Sequence, residues 1–89
     1  MICRTYDVPG ATLDQYDAVN RAVGTDKPAG VHAHVAMKTR DGLRVIELWD
    51  STDAGDRYMQ SRLSEAMKTA DLPKPRITDF EVHMFGWED

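Results

Sequence analysis

The stretch VHAHVAMKTRDGLRVIELWD, from Val31 to Asp50, decides the fold. Two runs rich in β-branched and aromatic residues, Val31–Thr39 and Leu43–Asp50, flank Asp41-Gly42. Such runs are strand signals. Asp-Gly suits a type I′ two-residue turn, whose twist matches that of the strands it joins. A turn centred there sets Met37 opposite Ile46, Val35 opposite Leu48, His34 opposite Trp49, Ala36 opposite Glu47 and Lys38 opposite Val45. One face of the hairpin then carries Val35, Met37, Ile46 and Leu48, all apolar. The other carries His34, Ala36, Glu47 and Trp49, a mixture of aromatic, small and ionisable groups. A slip of one residue would exchange the faces.

Outward from this hairpin, Met1–Val8 reads as a strand ended by Pro9-Gly10. Thr12-Leu13-Asp14-Gln15 is a capping box opening a helix, with Leu13, Tyr16, Val19 and Val23 at helical spacing and facing inward. Gly24 stops it as a left-handed cap. Ser51-Thr52-Asp53 opens a second helix, striped by Met59, Leu63, Ala66, Met67 and Ala70, which Leu72-Pro73-Lys74-Pro75 ends. Ile77–Gly86 is a fourth strand, with Phe80, Val82 and Met84 on one face and Glu81, His83 and Phe85 on the other. The element order is βαββαβ, an α+β domain.

The chain has 89 residues, 42% hydrophobic and 29% charged, with a net charge of -4. One domain, residues 1–89, is expected. A chain this short buries about 60–65% of the surface it exposes when unfolded, so a second copy would help it. Two helices cover one face of a four-stranded sheet, and neither hairpin face is a plain solvent face. A homodimer sharing the free face is therefore expected. The acidic balance argues against nucleic acid as a partner. The single cysteine, Cys3, allows no internal disulfide and reads as a buried, inert thiol. No apolar run approaches the roughly 20 residues of a membrane span, and no leader-like region opens the chain. The expectation is a soluble cytoplasmic protein with no membrane partner.

On these residues the chain resembles the dimeric α+β-barrel superfamily, in particular the antibiotic biosynthesis monooxygenase-like proteins. The carriers are the element order, the Gly30 to His34 strand, the Glu47-Leu48-Trp49-Asp50-Ser51 step into the second helix, and Asp79-Phe80-Glu81-Val82-His83. The resemblance implies a ferredoxin-like four-stranded antiparallel sheet with two helices on one face, pairing into a dimeric barrel. It also implies a pocket between sheet and helices. Members include cofactor-free oxygenases of polyketide pathways, aromatic cyclases and isomerases, and haem-degrading enzymes. The haem-degrading branch places a Trp nine residues after the junction Trp and an axial His ten residues further on; here those positions hold Tyr58 and Lys68. Haem ligation by that route is not expected.

His34, on a stiff strand, is the first candidate for acid/base work near neutral pH; its bland alternative is a histidine filling the sheet surface. Glu47 could orient a histidine or act as base. The preferred bland reading is an ion pair with Lys38 across the hairpin. Among the phenols Tyr6, Tyr16 and Tyr58, the last is the better candidate, because it matches the haem branch's pocket position. Trp49, Met37, Met59, Phe80 and His83 are candidate substrate-binding residues, with Met84 a further apolar one. Ordinary core is the more frequent role for most of them. Arg4 and Arg44 could hold an anion or simply be solvated strand positions. His32 and His34 lack a third ligand at a telling spacing, so no metal site is expected. Phosphate-loop, nucleophile-elbow and dinucleotide motifs are absent. The expectation is a cofactor-free enzyme of secondary metabolism. It would act on a hydrophobic polyketide-like or aromatic small molecule by cyclisation, isomerisation or oxygenation, with His34, Glu47 and Tyr58 as catalytic residues. The alternative is a non-catalytic dimer that binds a small ligand or another protein.

Overall fold

The computed structural model describes residues 1–86. Its elements are β1 (Ile2–Pro9), α1 (Leu13–Val23), β2 (Val31–Lys38), β3 (Gly42–Trp49), α2 (Thr52–Tyr58), a π-helical turn (Met59–Leu63), α3 (Ser64–Thr69) and β4 (Arg76–Glu81). The sheet is antiparallel in the order β2-β3-β1-β4. This is the expected ferredoxin-like α+β arrangement, with the sequence-distant strands β1 and β3 at its centre.

Both helix starts form as the sequence implies. Thr12 and Gln15 close a reciprocal capping box, and the Ser51 side chain accepts from the Ala54 amide. Gly24 ends α1 with φ 90° and ψ -175°. That is extended rather than left-handed-helical, a region open essentially to glycine alone, so the expected cap is corrected in kind. Leu13 does not face inward: it opens α1 and is 52% exposed.

The hairpin differs from expectation in register but not in facing. His34 lies opposite Glu47, Val35 opposite Ile46 and Lys38 opposite Leu43. The turn is centred one residue earlier, on Arg40-Asp41. Thr39 closes it by donating its amide to the Gly42 carbonyl and accepting the Gly42 amide on its hydroxyl. Neither central residue has positive φ, so the turn is not type I′. Gly42 serves a different purpose. It is the first residue of β3 and lies against β1, where a Cβ would fall 2.1 Å from the Val8 carbonyl oxygen. Each partner moved by two positions, which preserves the side-chain alternation. Gly42→Ala is expected to cost about 1–3 kcal/mol by overpacking, read as a lower urea midpoint at constant slope. An unchanged midpoint would show that the β1–β3 edge yields freely.

β4 is shorter than the expected Ile77–Gly86. It runs antiparallel to β1, Glu81 faces Ile2, and the Val82 amide reaches the Met1 carbonyl.

Tyr6, Val8, Val19, Leu43, Leu63 and Ala66 form the core between sheet and helices, with Tyr16, Val23, Val45, Tyr58 and Met59 packed against it. Burying a large apolar side chain contributes about 1.5–3 kcal/mol, so this layer drives folding. Cys3, Thr5, Val35, Met37, Ile46, Leu48 and Phe80 alternate onto the other face. There Val35 is 52% and Phe80 56% exposed. Among the described residues, no helix is long and apolar enough to cross a membrane.

Candidate active site

The centre of the helix-covered face is a buried carboxylate. Glu47, on the central strand β3, is 3% exposed. Its Oε1 accepts from the Tyr6 hydroxyl at 2.7 Å and from the Trp49 indole at 3.1 Å. Its Oε2 lies 3.2 Å from His34 Nδ1. A charge taken out of water must be met by donors in this way. β1, β2 and β3 each supply one neighbour, and Trp49 reaches back from two residues along the strand.

This arrangement selects a tautomer. With Glu47 as acceptor, His34 carries its proton on Nδ1 and leaves Nε2 free to accept. The Tyr16 hydroxyl, on α1, stands 2.9 Å from Nε2 and donates to it. The result is a carboxylate–imidazole–phenol relay running from the buried sheet to the partly exposed edge of the helix layer. The logic is that of a carboxylate orienting an imidazole that bonds a hydroxyl. Here the hydroxyl is a phenol.

The phenols are held in the protonated form. Burial, then the Glu47 charge, pushes Tyr6 well above the ordinary tyrosine range. Burial, then the charges of Glu47 and Asp17, raises Tyr16. Burial and Glu47 push Tyr58 up to about 12, against the opposing pull of Arg62. Groups whose folded pKa is raised contribute stability that is complete below their unfolded pKa and is lost as pH climbs through the folded one. The protein is therefore expected to lose stability between about pH 10, where unfolded tyrosine ionises, and about pH 12. Tyrosinate absorbance should appear late and together with unfolding. Ionisation of every tyrosine near pH 10 with the fold intact would contradict this burial.

Beside the relay lies a cavity of about 50 Å³, walled by Tyr6, Val19, Asn20, Tyr58, Leu63 and Met67, with His34, Glu47 and Tyr16 at its polar end. A water needs at least about 10–15 Å³ of such space, so the cavity has room for a few waters. Tyr58 packs on Trp49 with ring centroids 5.3 Å apart.

No protein-family model and no curated protein sequence matches the chain. Solved structures do match. One is a Deinococcus radiodurans protein provisionally named an antibiotic biosynthesis monooxygenase, at TM-score 0.66 and 16% identity over 100% of this chain and 99% of that one. A Chloroflexus aurantiacus protein with the same provisional name gives 0.65 and 18% over 97% and 98%. SnoaB, a cofactor-independent oxygenase from Streptomyces nogalater, gives 0.62 and 16% over 94% and 92%. The chain has the antibiotic biosynthesis monooxygenase fold.

Within this fold the structure sorts the candidates. His34, Glu47 and Tyr58 come to one cavity. Trp49 does not line it: the indole is fully buried behind, bonded to Glu47 and packed on Tyr58. It stands on the same face as His34 and meets it through Glu47 rather than ring to ring. Met59 packs into the core beside the cavity. Met37 and Phe80 belong to the opposite face, because Met37 pairs with Arg44 and Phe80 with Cys3. Their strand parity excludes them from this site. His83 and Met84 follow the end of β4, exposed and away from the cavity.

The Glu47–Lys38 ion pair does not form, since the shifted register sets Lys38 opposite Leu43. Arg4 is no solvated strand residue. It is buried and bound at 2.8 Å by both Asp79 oxygens and by Asp56, tying β1 to β4 and α2. Arg44 pairs with Asp7. Among the described residues, no three His, Cys, Asp or Glu side chains gather to hold a metal; His32 bonds Asp50 alone. The sequence offers Tyr6 and Tyr16 as candidate phenols but ranks both below Tyr58, and it does not pair them with Glu47 or His34. The helical spacing that marks Tyr16 as inward was the one available signal.

Proposed function

We propose that this protein is a cofactor-free small-molecule enzyme that works by proton transfer at His34, most fittingly as a homodimer joined through its free sheet face. The observation that carries the reading is the Glu47–His34–Tyr16 relay beside an apolar cavity. Glu47 orients the imidazole and stabilises the imidazolium formed when His34 takes a proton. Tyr16 occupies Nε2 at rest, so a substrate hydroxyl or acidic carbon either displaces the phenol or delivers its proton through it. The enolate or phenolate so formed can be reprotonated at another position, which is isomerisation or cyclisation. It can alternatively give electrons to molecular oxygen, the activity class named for SnoaB.

Ligand sites usually measure about 300–1,000 Å³, well above the resting cavity of about 50 Å³. A hydrophobic aromatic or polyketide-like substrate therefore enters only as the wall opens. Tyr16 and His34, at the exposed end, are the groups placed to part. The same small volume favours the second reading, a non-catalytic dimer binding a ligand or protein elsewhere. Turnover of a panel of hydroxylated polycyclic aromatics by the protein and by His34→Ala separates the two. Loss of turnover in the variant supports the enzyme, and no turnover by either protein supports the binder.

A further inference from the structure

Adjoining Tyr58 lies a larger depression of about 260 Å³, lined by Pro28, Ala29, Ala54, Arg57, Tyr58, Ser61 and Arg62. No carboxylate lines it, and among the described residues neither arginine forms an ion pair with one. Among the described residues the arginine ion pairs are those of Arg4 with Asp56 and Asp79 and of Arg44 with Asp7, so Arg57 and Arg62 bring two unneutralised charges to one concavity.

The helix is built to bring these two side chains together. Residues five apart in a regular α-helix point about 140° from one another. Between Arg57 and Arg62 the chain makes the π-helical turn Met59–Leu63, whose wider i→i+5 winding swings position 62 back toward position 57. Arg62 is also preset. Its Nη2 donates to the Val23 carbonyl at 2.8 Å, and its guanidinium carbon stands 5.6 Å over the Tyr58 ring. A guanidinium held in this way keeps further N–H donors for an anion and loses little freedom in binding one. Arg57 is exposed, and its side chain makes no ion pair among the described residues. Tyr58 lines both this depression and the His34 cavity, so the two concavities adjoin at this residue.

We propose that this depression binds an aromatic oxyanion, with Arg57 and Arg62 holding the carboxylate or phosphate and the ring packing along the apolar lining of Pro28, Ala29 and Ala54. Resting on the reading of the His34 cavity as the reaction chamber, it is the anchoring half of the substrate site. The substrate class then narrows to aromatics that carry an anionic group distant from the reacting end.

The test uses 2-naphthoate and its neutral counterpart 2-naphthamide, titrated into the full chain and followed by tryptophan and tyrosine fluorescence and by Arg Nε–Hε shifts. The expected result is naphthoate binding at least tenfold tighter than naphthamide, with affinity falling as salt rises. Arg57→Gln should erase most of that preference while leaving naphthamide affinity and melting temperature unchanged. Arg62→Lys should weaken naphthoate severalfold and checks the second anchor without removing its charge. Equal affinity for the two ligands, no saturable naphthoate binding, or an Arg57→Gln variant that keeps the preference would each overturn the proposal. His34→Ala should leave naphthoate binding intact. If that variant also leaves turnover untouched, the acid/base reading fails while the anion site stands.

Discussion

Replacing Glu47 by leucine is expected to destabilise the fold by about 2–6 kcal/mol. The carboxylate accepts from two fully or nearly fully buried donors, the Tyr6 hydroxyl and the Trp49 indole. Leucine accepts nothing, and each buried donor left alone costs about 1–3 kcal/mol. For a domain of this size 1 kcal/mol moves the melting temperature by about 4–8 °C. A fall of at least about 8 °C should appear in calorimetry. Glu47→Gln separates stability from chemistry. Its amide oxygen still accepts from Tyr6 and Trp49, so most stability returns. Its NH₂ then faces His34 Nδ1, which must become an acceptor, and the ring proton moves to Nε2. Tyr16 loses the lone pair it donates to. The glutamine variant should therefore be stable, inactive and shifted in imidazole tautomer by nitrogen-15 chemical shift. A glutamine variant that is stable, fully active and unshifted would show that Glu47 is structural only.

The second large effect is on rate. His34→Ala should lower turnover about 10²–10⁴-fold, the usual contribution of a positioned acid or base, with melting temperature altered by only a few degrees. Stability is spared because the His34 side chain is 42% exposed and Glu47 keeps its other two donors. The pairing of large rate loss with small stability loss is the signature that a histidine merely filling the sheet surface would not produce. Unchanged turnover would remove His34 from the mechanism.

Much of this architecture is local in origin and so legible in the chain. Helix starts at Thr12 and Ser51, the apolar stripe from Met59 to Ala70 and the two-faced character of the β2–β3 hairpin depend on residues a few positions apart. Alternation along a strand is independent of its partner's exact position. The faces of His34, Glu47 and Trp49 therefore survived a turn that closed one residue early and a partner shift of two. The functional reading has a mixed character for the same reason. A histidine and a glutamate on one face of the hairpin could be found by parity, and a pocket phenol at Tyr58 by resemblance.

What the sequence alone determined is the βαββαβ order, the sheet's unlike faces and the placement of His34 and Glu47 together on one of them, because these follow from propensity, capping and the period-two pleat. Only the tertiary structure decided the hydrogen-bond partners. The approach of α1 brings Tyr16 to His34, and the β1–β3 pairing brings Tyr6 to Glu47 and makes Gly42 a matter of space. The π turn Met59–Leu63 begins between Arg57 and Arg62, which line one depression. Each of these joins residues whose distance depends on how the layers pack, which no local pattern in the chain encodes.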